Sequence, residues 1–130
     1  MSYNIKNILV EVIKLAEKRR IAEESKEKNK NLKDLELQSL LDESDEENKL
    51  RDFLNNLDFE AIKTIQTIMY LGRDKDYKEE ESPVERYINH WLFLSDAKGW
   101  ATKEIEIEQM ISKMPLDEYL KNGMRILNIK

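Results

Sequence analysis

The run from Asp58 to Asp74 constrains the fold most. Ala61, Ile62, Ile65, Ile68 and Met69 recur at three- and four-residue intervals, the spacing of one helix face. Asn55-Asn56-Leu57 breaks the preceding pattern, and the Asp58 carboxylate can accept from the first-turn N–H groups, so the helix starts there. Gly72 reads as its C-terminal stop, because glycine enters left-handed backbone without a Cβ penalty. Arg73 to Glu81 then reads as a charged loop containing Tyr77. An apolar face of this length must be covered by other elements, and the rest of the chain supplies helices.

Ile5, Ile8, Leu9, Val12, Leu15 and Ala16 predict a first helix from about residue 4 to the low twenties, with Asn4 or Ser2 as its cap. Residues 23–31 are charged and form either an extension of that helix or a linker. Leu32, Leu35, Leu37, Leu40 and Leu41 predict a short helix that could pair across a homodimer. Ser44 and Glu47 form a capping box ahead of a helix carrying Leu50, Phe53, Leu54 and Leu57.

Ser82-Pro83-Val84-Glu85 is a second capping box with proline at the first helical position. The spacing behind it places Val84, Tyr87, Ile88, Trp91 and Leu92 on an inner stripe, and Ala97-Lys98-Gly99 ends it. Thr102 caps the next helix, with Ile105, Met110, Ile111 and Met114 predicted inside and Ile107 off the stripe. Pro115 interrupts the pattern before Leu116, Tyr119 and Leu120 resume it, and Gly123 precedes Met124, Ile126, Leu127 and Ile129. No β-branched run lies between hairpin turns, so the expected fold is all-α, a single domain over 1–130 with about six or seven short helices.

Charge and composition narrow the function classes. Residues 1–33 carry an excess of basic residues, yet the whole chain is −5, so its larger part is strongly acidic. That balance disfavours general phosphate-backbone binding and leaves only the basic end of the first helix, Lys14, Lys18, Arg19 and Arg20, for nucleic acid. Cysteine is absent, which removes disulfides, thiolate catalysis and cysteine metal sites and suits a cytoplasmic protein. Neither a signal region nor a membrane-spanning run is expected.

A single histidine, His90, leaves no histidine pair for a metal, and Asp74-Lys75-Asp76 lacks the ligand spacing of a calcium loop. Three glycines supply no phosphate-binding loop or nucleophile elbow. No cofactor or metal is therefore implied. An enzyme would have to bring Arg73, His90 and carboxylates into one pocket. Arg73 has two readings, a partner anchor or a pair with Asp74 or Asp76. Trp91 reads as core, whereas Trp100 covers a helix junction or anchors a partner.

Leu57-Asp58, the apolar helix, Met69-Tyr70-Leu71-Gly72-Arg73-Asp74, and later Leu116, Tyr119-Leu120 and Gly123-Met124 together resemble the DUF3775 family of uncharacterised bacterial proteins. The likeness covers approximately residues 50–127, with Asp74 where glycine is usual. It implies no activity. The resulting expectation is a small acidic helical protein, bacterial or from a phage, that binds a protein partner without catalysis, as a regulator or inhibitor. One form is a phage- or prophage-type inhibitor of a host defence nuclease. Arg73, Asp74, Tyr77 and Trp100 are the candidate partner-binding residues; an enzyme around Arg73 and His90, and nucleic-acid binding, are the alternatives.

Overall fold

The computed structural model of the chain describes residues 4–129 except 29–44, with 25–28 described by their backbone alone. Among the described residues there are six helices and no strand, an all-α fold: α1 (Ile5–Lys28), α2 (Asp45–Asn55), α3 (Phe59–Asp74), α4 (Pro83–Ala97), α5 (Lys103–Ile111) and α6 (Leu116–Ile126). The predicted leucine-rich helix at Leu32–Leu41, its pairing across a homodimer and the Ser44 cap lie outside the described residues. Residues 23–28 extend α1 rather than forming a linker.

Capping chemistry sets the helix starts. Asn4 Oδ1 accepts from the Asn7 N–H at 3.3 Å, Asp58 Oδ1 from Ala61 at 2.9 Å, and Thr102 Oγ1 from Ile105 at 3.2 Å. Ser82 and Glu85 close a complete capping box on α4, which holds the Glu85 carboxyl below the usual carboxylate range through the Ser82 N–H and hydroxyl. Acidic Asp45, Glu46 and Glu47 occupy the first turn of α2, where the helix dipole favours them.

α3 is the central helix. It packs against α6, α4 and α5, while α1 packs on α2 and α6, and α2 on α5. The predicted inner face of α3 is buried in full, and burial continues around the helix through Gln66, Thr67, Tyr70, Leu71 and Gly72. Leu9, Val12 and Ala16 from α1, Leu50 and Leu54 from α2, and Leu116 and Leu120 from α6 complete the core.

Gly72 is not the helix stop. α3 runs on to Asp74, and the left-handed residue is Lys75, at φ 55°, whose N–H bonds to Leu71 O at 2.9 Å. Gly72 is instead a packing notch: a Cβ there would overlap Tyr119 O and sit 2.5 Å from Gly123 N. Gly123 answers it from α6, where a Cβ would overlap Ile68 O and sit 2.6 Å from Ile68 Cγ2. The two glycines let the backbones of α3 and α6 meet. A glycine helix stop does occur, at Gly99 after α4, with φ 69°.

Two predicted inner faces are rotated. On α4, Val84, Ile88 and Leu92 are 67%, 48% and 51% exposed, and the buried residues are His90 and Leu94, with Tyr87 packed beside them. The sequence carries two apolar lines on α4, and only the one through Tyr87, His90 and Leu94 meets α3. On α5, Ile105 is exposed while Ile107 is buried, and Met114, in the turn after the helix, is exposed too. The neighbouring Glu106 is buried with Ile107, and its carboxylate offsets that burial by accepting from Lys98 Nζ at 2.8 Å and from the Ala101 N–H at 2.7 Å.

Candidate functional site

The four candidate partner-binding residues fall in three separate settings. Arg73 and Asp74 end α3: the Arg73 Nε donates to Asp74 Oδ1 at 2.9 Å, and its guanidinium lies 4.7 Å from the Tyr70 ring centroid. The pairing reading of Arg73 is therefore realised. Tyr77, in the loop before α4, packs under the Arg86 guanidinium at 4.5 Å. Trp100 covers the junction of α4 and α5; its Nε1 donates to Ser95 Oγ at 2.9 Å, and its ring lies 6.3 Å from that of Trp91. Lys98 and Lys63 stand 4.6 and 5.9 Å from the Trp100 ring.

His90 does approach the Arg73 region, with Nε2 4.0 Å from Asp74 Oδ2 and its ring 5.8 Å from that of Phe93. Only 3% of the residue is exposed, and Nε2 has no hydrogen-bond partner. Burial lowers its pKa; Asp74 and Asp76 act against that shift and Arg73 with it. A general base must reach the proton it removes. This imidazole is enclosed by its own chain, so its place is in the core. Among the described residues no group of three His, Asp or Glu side chains is placed to hold a metal ion.

The basic end of α1 is largely committed to the fold. Arg19 is 1% exposed, donates from Nη1 to Ile111 O at 2.7 Å and lies 3.8 Å from Glu47, thereby capping the C-terminal end of α5. Burial lowers the Arg19 pKa from its usual value, against the pull of Glu23, Glu47 and Asp117. Arg20 grips the fully buried Asp117 carboxylate through Nε at 3.2 Å and Nη2 at 3.1 Å, and reaches Glu24 at 3.3 Å. Its pKa is raised by that carboxylate. Of the four residues expected to meet nucleic acid, Lys14 and Lys18 stay exposed; Arg19 and Arg20 tie α1 to α5 and α6.

A second buried polar cluster lies under Trp100. Burial pushes the Glu106 carboxyl up, but Lys98 and the Ala101 N–H outweigh it and hold the group below the usual range, with the Gln66 amide contributing. Gln66 is fully buried, and neither its nitrogen nor its oxygen makes a bond of good geometry. This cluster ties α3, α4 and α5 together.

What the fold leaves uncovered is one side of α4. Val84, Ile88 and Leu92 lie at four-residue intervals and form a ridge pointing away from α3. Glu85 and Asp96 line one edge of the ridge, joined by Glu81, which accepts a hydrogen bond from Asn89 on the same flank. Trp91 and Ser95 form the other edge. No cation pairs with Glu81, Glu85 or Asp96 among the described residues. The sequence pattern assigned this ridge to the core, because apolar periodicity reports an amphipathic face without saying what covers it. Among the described residues, no helix is long and apolar enough to cross a membrane. No protein-family model, curated protein or solved structure matches the chain.

Proposed function

We propose that this protein is a non-catalytic protein-binding module whose docking surface is the α4 ridge. The carrying observation is three aliphatic side chains in line, each about half or more exposed, beside a carboxylate flank without cations. Uncovered apolar surface rimmed by polar groups marks interaction sites. The occupant that fits is an amphipathic helix of a partner, with its own aliphatic residues on Val84, Ile88 and Leu92 and a basic edge against Glu81, Glu85 and Asp96. A second copy fits less well. Self-pairing sets the acidic flank against itself or against Trp91 and Ser95, and neither arrangement brings a cation to it. A regulator or inhibitor that acts by occupying its target is the role such a surface suits.

The test uses two synthetic amphipathic helical peptides, one of leucine and lysine and one of leucine and glutamate, with peptide anisotropy as the readout. Saturable binding of the lysine peptide alone, weakened at least tenfold by Ile88→Asp with helicity unchanged, is the expected result. Equal binding of both peptides, or an Ile88→Asp variant that binds like the parent, would overturn the reading. So would a monomer–dimer equilibrium in sedimentation that Ile88→Asp abolishes, since the occupant would then be a second copy.

A further inference from the structure

Away from the α4 ridge, a cleft of about 240 Å³ opens between the loop after α3, the start of α4 and the end of α6, lined by Lys75, Tyr77, Arg86, Asn122, Arg125 and Ile126. Three of its six lining residues are cationic and none is acidic. No ion pair among the described residues involves Lys75, Arg86 or Arg125. In a chain of net charge −5, with surface carboxylates abundant, an unneutralised group of three cations around one cleft calls for a physical reason.

Helix dipoles supply part of it. Lys75 caps the C-terminal end of α3, Arg125 stands in the last turn of α6, and the Arg86 Nη1 donates to Ile126 O at 2.9 Å. Dipoles do not account for the convergence of all three on one cleft, nor for how each is held. Arg86 is fixed from both ends, with Nη2 donating to Glu79 O at 3.0 Å and its guanidinium carbon over the Tyr77 ring, while its buried Nε has no partner. Arg125 is steadied by Asn122, whose Oδ1 accepts from Nη1 at 3.0 Å. Lys75 is held at the rim by a left-handed backbone conformation at φ 55°. These cations are positioned by carbonyls, an amide and an aromatic face, which leave their charge unspent. Carboxylate partners would have cancelled it.

We infer that this cleft is a binding site for a phosphate group, carried by a small phosphate monoester. A phosphate dianion has the charge to engage three cations and the tetrahedral acceptors to meet donors from several directions, which a planar carboxylate cannot do equally well. The Tyr77 ring, stacked on Arg86, forms an apolar wall for the ester's organic part. Neither the α4 ridge nor its partner enters this inference, so the two stand or fall separately.

The test is titration of the whole chain, at constant ionic strength, with inorganic phosphate, phenyl phosphate and benzoate, followed by amide NMR shifts. Saturable shifts confined to residues 75–79, 86 and 122–127, tighter for phenyl phosphate than for benzoate, are expected. Phenyl phosphate tighter than inorganic phosphate identifies a monoester ligand; equal affinities identify the free ion, and overturn the monoester while keeping the phosphate site. Lys75→Gln and Arg125→Gln, both at exposed positions, should each weaken binding about tenfold with the fold intact. Shifts spread over all basic surfaces, no saturation, equal affinity for benzoate, or variants that bind like the parent would overturn the site.

Discussion

Replacing Gly72 by alanine adds one methyl group to a helix, and two effects of opposite sign compete. Helix propensity alone favours alanine by about 1 kcal/mol. Against it, the new methyl would overlap Tyr119 O and lie 2.5 Å from Gly123 N. Both are backbone atoms, so no side-chain rotation relieves the overlap. Restoring an ordinary separation of about 3.5 Å requires α3 and α6 to move apart by about 1 Å or more. That shift also loosens the buried packing of Ile68, Leu116 and Leu120. Overpacking costs about 1–3 kcal/mol and sometimes more; a double backbone overlap at the central helix belongs at the top of that range, for a net loss of about 2 kcal/mol once the propensity gain is subtracted. At about 4 °C per kcal/mol for a chain of this size, Tm should fall by about 8 °C.

Gly99 provides the contrast, since its φ of 69° is the difficulty there and the nearest atom to an added Cβ is Ser95 O at 3.9 Å. Gly99→Asn should cost less than about 1 kcal/mol, because asparagine tolerates left-handed backbone. Gly72→Asn should cost more than Gly72→Ala. Urea unfolding followed by far-ultraviolet circular dichroism measures all three. A Gly72→Ala midpoint equal to or above that of the parent would refute the notch.

Two further outcomes follow from buried polar groups. His90, the sole histidine, resists protonation in the fold, whereas in the unfolded chain it titrates near 6.5. The unfolded state therefore binds more protons, so stability is present above about pH 6.5 and is lost as pH falls from there toward the lower folded value; urea midpoints between pH 5.5 and 7.5 should show this slope, His90→Gln should flatten it and Asp74→Asn should steepen it. Arg19→Ala should destabilise by about 3 kcal/mol, since it empties a buried volume and strips Ile111 O of its donor, while Arg19→Met keeps the volume and should cost about half as much; an Arg19→Met midpoint equal to that of the parent would show that the guanidinium does not hold α1 to α5.

Helix starts were legible in the sequence because capping is local: Asp58, Ser82 and Thr102 all bond within three residues of themselves. The inner face of α3 was legible for a similar reason, since a strong apolar stripe has one place to go. Gly72 misled because a glycine near a helix end has a sufficient local explanation, while the true constraint comes from Tyr119 and Gly123 on α6. α4 misled because it carries two apolar lines, and only the tertiary position of α3 selects between them. Arg19 and Arg20 read as a basic helix end open to nucleic acid, because their partners, Ile111 O and Asp117, lie about ninety residues further along the chain. The basic cleft had no sequence signal, as its residues come from three separate segments.

The meeting of Gly72 with Gly123 also bears on how the chain is made. α3 emerges from synthesis early, with apolar residues on nearly every side, and the element that covers its tightest contact is translated last among the six helices. Until then Ile68, Met69 and Leu71 have no complete enclosure, so the newly made chain passes through an interval in which its most deeply buried helix is still partly uncovered. A chain that stops before Leu116 would leave Ile68 and Gly72 without the backbone of α6 against them, and should unfold at a lower urea concentration than the full chain.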